Sequence, residues 1–148
     1  MDLWTILLKH GLGVRTLDYG MVGRWIGHFP NGCFVHSDIA KAPPVRGERV
    51  VGWVTHYATG IGFAALLLAL FGLDWARSPA FMPALTVGLL TVAAPFLIMQ
   101  PALGAGLAAR RTPNPNLSRL RSLATHGVFG AGLYGSAKVL ELLVPLPA

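Results

Sequence analysis

The chain has one cysteine, Cys33, and only six acidic residues among 148. A single cysteine excludes an internal disulfide and a zinc cluster built from thiolates. The acidic residues are as scattered as they are few: Asp38 and Glu48 fall in a loop, and Glu141 stands near the far end beside Lys138. Hydrolase and transferase signatures are missing as well. There is no G-x-S-x-G, no H-E-x-x-H and no phosphate-binding glycine loop, so no catalytic residue is assigned and the balance leans against an enzyme without deciding it. Charge of either sign is scarce, at 12% of residues against 53% hydrophobic, with a mean hydropathy of +0.56. A soluble domain of this size needs more polar cover than that.

The apolar residues are gathered into runs. Residues 50–73 and 81–109 contain no charge, and residues 122–144 contain only Lys138 and Glu141. Each run exceeds the roughly 20 residues that a helix needs to cross a bilayer. The first segment, "LWTILLKHGLGV", is shorter: six residues precede Lys9, roughly 9 Å of helix against a hydrocarbon core of about 30 Å. It is not a secretory signal, because Asp2 stands where a basic region belongs and no small-x-small cleavage site follows. The expected fold is an all-α integral membrane protein, a single domain forming a compact up-down bundle. Its helices are expected at about 2–14, 50–73, 81–109 and 122–144: three full spans and a short or truncated N-terminal helix, four spans if that helix is extended.

Basic residues set the orientation. Arg15, Arg24, Lys41, Arg46 and Arg49 lie in the first connection, and Arg110, Arg111, Arg119 and Arg121 in the last, whereas the link between the second and third runs holds Arg77 beside Asp74. By the positive-inside rule, loops 15–49 and 110–121 are cytoplasmic and the C-terminus is outside, periplasmic in a bacterial inner membrane. The same rule accounts for the pI of about 10.3. The expected partners are the bilayer, a second copy or a larger membrane complex, and no nucleic acid.

The long first connection carries "LDYGMVGRWIGHFPNG". Leu17, Met21, Val22, Trp25 and Ile26 fall at helical spacing, with Asp18 as an N-cap and Pro30-Asn31-Gly32 as a stop. This predicts an interfacial amphipathic helix over about 18–28. Just after it, His28, Cys33 and His36 form an H-x4-C-x2-H set. The ligand types suit a metal, but three ligands in a spacing that matches no common zinc pattern leave none expected.

Polar side chains inside the spans cost energy unless they are paired or face a cavity. His56 lies roughly 9 Å into the second span, His126 roughly 6 Å into the fourth, and Gln100 roughly 13 Å from the cytoplasmic exit of the third, at about 1.5 Å per residue. All three fall in the cytoplasmic half, which predicts a polar layer. "FLIMQPALGAGLAARRTPNPN" forms one wall of it. Pro95 and Pro101 free the carbonyls of Thr91 and Leu97 and kink the helix, and Gly104 and Gly106 permit close approach or a break. Gly127, Ala131 and Gly135 give the fourth run a small-xxx-small packing face. In "RRTPNPNLSRLR", Asn116 or Ser118 can cap the next helix, and Arg110, Arg111, Arg119 and Arg121 form a candidate site for an anionic lipid or ligand. Lys138 and Glu141, three apart, read as a salt bridge on one helix face.

The strings "LDYGMVGRWIGH", "GERVVGWVTHY", "MQPALGAGLAARRTPNPN" and "RLRSLATHGVFG" resemble a family of small bacterial inner-membrane proteins of unknown function with four predicted spans, over nearly the whole chain. The resemblance implies architecture and no activity. Its members usually carry a short apolar run before the position of "MDLW"; with such a run Asp2 joins the polar layer, roughly 10 Å above Lys9. Three functional readings follow. The first is a helical subunit or scaffold. The second is a binding or transport site for a small polar molecule or a proton, lined by His56, Gln100 and His126. The third is a redox subunit with His56 and His126 as axial ligands to haem.

Overall fold

The computed structural model describes residues 18–143 together with Trp4 and Gly11. Within them the protein is helical, with no strand among the described residues. The helix expected over 2–14, with Asp2, lies outside the described residues apart from Trp4 and Gly11.

Helix α1, Tyr19–Gly27, is the expected amphipathic element. Asp18 caps it by accepting from the Gly20 amide at 2.9 Å. The chain stops at a short turn over Phe29–Asn31, where Gly32 adopts φ 72°, a conformation that favours glycine. Helix α2, Glu48–Arg77, runs past both ends of the expected 50–73. Its 30 residues span about 45 Å at about 1.5 Å each. Gly72, at φ 74°, breaks its regularity near the far end.

Helix α3 runs from Phe81 to Ala102 and is not uniform. It is α-helical over Phe81–Leu90 and π-helical over Pro95–Met99, and closes with Gln100–Ala102. Proline removes the amide that an i to i−4 ladder needs, and a wider π turn accommodates the gap. The expected limit of 109 is corrected to Ala102. After it, Gly104 at φ 99° and Gly106 at φ 75° turn the chain away, and Leu107–Ala109 forms a separate short turn. Helix α4, Pro115–Leu143, begins well before the expected 122. Its first turn is capped by Asn114, whose Oδ1 accepts from the Leu117 amide at 3.2 Å, rather than by Asn116 or Ser118. Pro115 suits the first helical position because its missing amide has no partner to lose there.

Two contacts between backbones set the packing. On α1 and α2, a Cβ at Gly23 would strike the Glu48 carbonyl, and one at Gly52 the Tyr19 carbonyl. On α3 and α4, a Cβ at Gly88 would lie 2.6 Å from the Cα of Gly130. The tight point on α4 is therefore Gly130: a Cβ at Gly127 would make ordinary contact with Leu89, and one at Gly135 would meet open space. Farther along, Leu67, Trp75, Ala84 and Val87 form a small core backed by Leu133 and Tyr134.

Little else is buried. The largest fully buried side chains among the described residues are Leu67 and Val87. Of the three expected spans, α2 and α3 are long and apolar enough to cross a membrane, with only 6% and 22% of their most apolar stretches buried. Helix α4 is long enough but less apolar, because its first turns carry Arg119 and Arg121 and its middle is glycine-rich.

Candidate functional site

Of the expected layer, Gln100 and His126 bond across one helix pair, and His56 has ring contacts on another. On the face between α3 and α4, the Thr91 hydroxyl donates to the Gly88 carbonyl at 2.6 Å and stands 2.9 Å from Nδ1 of His126. With its proton spent on the carbonyl, the hydroxyl accepts from Nδ1–H, which fixes the imidazole tautomer. One turn earlier on α4, Ser122 accepts from Nε2 of Gln100 at 3.2 Å. Gln100 and His126 thus share one interface. Oε1 of Gln100 is buried with no hydrogen-bond partner among the described residues. Trp4 reaches the same stretch of α4, its indole donating to the Thr125 hydroxyl at 3.3 Å.

His56 belongs to an aromatic group on α1 and α2. Its ring stacks on Tyr19 at 4.3 Å and lies near Trp53 and Tyr57, at centroid distances of 5.8 and 5.3 Å. The crossing at Gly23 and Gly52 brings Tyr19 over this part of α2.

A third cluster gathers where the first connection meets the end of α3. The break after Ala102 leaves carbonyls that α3 cannot use, and residues 33–42 take them up: the His36 amide donates to Ala102 O at 2.8 Å and the Ile39 amide to Leu103 O at 3.2 Å. A Cβ at Gly104 would strike the Ser37 carbonyl, so the docking needs glycine there. This is what "QPALGAG" accomplishes. Arg24 holds the loop from the other side. It grips Glu48 through two bonds of 2.8 and 2.7 Å and points Nη1 at the carbonyls of Ile39, Ala40 and Ala42. The carboxylate beside it holds the Arg24 guanidinium above its ordinary pKa. Within this frame His28, Cys33 and His36 converge, their ligand atoms all within 4.8 Å of one another.

The four arginines of the last connection differ in their partners. Arg119 braces the turn, donating to Ala108 O at 2.9 Å and to Asn116 Oδ1 at 3.1 Å, and holds backbone in which Ala108 and Ala109 have φ of 45° and 59°. Arg110, Arg111 and Arg121 are exposed. Lys138 and Glu141 form their expected pair at 2.7 Å.

Sequence reasoning missed Thr91, Ser122 and Tyr19 as partners of the polar residues. Thr91 had a readable signal: it stands four residues before Pro95, where the freed carbonyl falls. Nothing in the local sequence ties Ser122 to Gln100.

No curated protein and no solved structure matches the chain significantly. A family model does, over residues 1–140. The chain belongs to DUF2938, a family of proteins of unknown function.

Proposed function

We propose that this is a multi-pass protein of the bacterial inner membrane, acting as a helical subunit or scaffold, with residues 15–49 and 110–121 cytoplasmic and the C-terminus periplasmic. The observation that carries the reading is the exposed apolar surface of α2. Val50, Val54, Ile61, Leu70 and Leu73 are each at least 60% exposed, along a helix longer than a bilayer core is thick. In water such a surface invites aggregation; in lipid it is the expected exterior. The loop docked on the end of α3 supports the topology, because it puts both basic connections at one end of the bundle. The interior fits a packing role: Thr91, Ser122, Gln100 and His126 bond helix to helix beside a glycine contact. Fractionation tests this. The chain is expected to stay with inner membranes through alkaline carbonate and to require detergent for release; recovery in the carbonate supernatant would sink the proposal.

One observation favours a second reading, in which the layer binds a small polar molecule or conducts protons. The buried, unpartnered Oε1 of Gln100 lies beside a π-helical segment, a distortion frequent at functional sites. In proteoliposomes holding a pH-sensitive dye, this form predicts a proton leak that Gln100→Leu and His126→Leu each abolish. A leak-free wild type rules out the proton form.

A further inference from the structure

We propose that His28, Cys33 and His36 bind one zinc ion at the junction of α1, the first connection and the end of α3. This inference stands apart from the membrane reading, since it rests on loop geometry alone. His36 Nε2 lies 3.5 Å from Cys33 Sγ and 3.0 Å from His28 Nδ1. A tetrahedral centre with metal–nitrogen distances of about 2.0 Å and a metal–sulfur distance of about 2.3 Å has N···S edges of about 3.5 Å and N···N edges of about 3.3 Å. Two edges already stand close to that triangle, and the third, between Cys33 Sγ and His28, lies within 4.8 Å and shortens toward about 3.5 Å on binding. Closing it needs shifts of a few tenths of an ångström on these two edges.

The surroundings prepare the ligands. His28 Nε2 lies 3.0 Å from the Pro43 carbonyl, to which it donates, so Nδ1 presents a lone pair to the cluster. A backbone carbonyl on the far ring nitrogen is the usual device that orients a metal-binding histidine. His28 is fixed as the residue that ends α1, and His36 is fixed through its own amide, bonded to Ala102 O. Each main ligand is therefore held by backbone that does not belong to the cluster.

Asp38 and Lys41 line the same cleft, but the Asp38 carboxylate is occupied by the Ala40 amide at 3.1 Å and by Lys41 at 3.5 Å. The fourth position then falls to water. Three protein ligands with one open position suit zinc, which has no geometric preference of its own to oppose them. A thiolate with two imidazoles favours this borderline ion over magnesium or calcium. Bound there, the ion staples the end of α1 to the loop that closes α3.

The test uses the full chain in detergent, stripped with a chelator and titrated with Zn²⁺ against a chromophoric competitor. One equivalent per chain is expected, with displacement of protons as the thiol and imidazoles take the metal. Cys33→Ser and His28→Ala should each weaken binding by more than about a hundredfold, since even outer-shell partners cost about 10- to 100-fold. His56→Ala and His126→Ala should leave it unchanged. Helical circular dichroism and the melting of each metal-free variant separate a lost ligand from a lost fold. Cobalt(II) in place of zinc should give thiolate-to-metal charge-transfer absorption that vanishes in Cys33→Ser. Binding far below one equivalent, binding indifferent to Cys33→Ser, or uptake of Cu(I) without Zn²⁺ would overturn the proposal.

Discussion

Thr91 shows how one hydroxyl can matter more than the histidine it serves. It is 5% exposed and bonded on both sides, to Gly88 O and to His126 Nδ1. Thr91→Val keeps the shape but removes the hydroxyl that joins the Gly88 carbonyl to the imidazole, which costs about 1–3 kcal/mol. His126→Leu leaves Thr91 still bonded to Gly88, so its cost is that of one neutral hydrogen bond, about 1 kcal/mol. The double variant removes both polar partners and should be more stable than Thr91→Val alone. Thermal melts of the three in one detergent check the order; a double variant worse than both singles would mean that His126 has a further partner that matters more. Arg24 makes the complementary case. Its side chain is 17% exposed and that of Glu48 19%, so the pair is shielded from water and salt. Arg24→Ala is expected to cost about 2–3 kcal/mol by stranding the carboxylate and the loop carbonyls together. Arg24→Lys should recover little of it, because an ammonium cannot fork across both oxygens and reach the loop.

Helix pairs are held here by glycine placed where backbones meet. A Cβ at Gly88 would lie 2.6 Å from Gly130 Cα and 2.8 Å from the His126 carbonyl, and neither backbone atom can swing aside. Gly88→Ala should therefore destabilise by about 2–3 kcal/mol, the upper part of the overpacking range. It should also disturb the Thr91–His126 contact one turn away. Gly132→Ala and Gly135→Ala place their Cβ in open space, and the usual preference of helices for alanine makes them neutral or stabilising by up to about 1 kcal/mol. Equal losses at all three positions would show that α4 meets another partner through its small-residue face. The same reasoning explains the end of α3. Pro101 and Gly104 stop the helix early, and the carbonyls so released become the dock for residues 33–42.

At the scale of the whole molecule the exterior carries the apolar load. A soluble protein of 148 residues would bury its leucines and valines; here Leu66, Leu70, Leu73, Leu90, Leu140 and Leu142 all face outward. Reporter fusions test the proposed arrangement. An enzyme active only in the periplasm should work when joined after residue 143 and fail when inserted near Thr112; the reverse pattern would invert the topology. Removing detergent should precipitate the protein, whereas lipid nanodiscs should keep it dispersed, with light scattering as the readout.

Sequence by itself determined the helical class, the family, the amphipathic helix with its Asp18 cap and the two long apolar helices, because hydrophobic periodicity, run length and capping are local properties of a chain. Counting along the helices also puts His56, Gln100 and His126 in one expected layer. Which neighbour each polar group meets is a property of the fold. Thr91 and His126 are 35 positions apart and Gln100 and Ser122 are 22 apart, and the close contact of Gly88 with Gly130 helps bring α3 and α4 near enough to join them. Helix limits failed at both connections: Pro101 and Gly104 stop α3 at Ala102 and another loop takes the carbonyls so released, and α4 starts early because Asn114 caps its first turn and Arg119 braces it. His28, Cys33 and His36 matched no spacing pattern, yet they meet. The loop is held from outside by Ala102, Leu103 and Arg24, and sequence spacing does not record a grip exerted by distant residues.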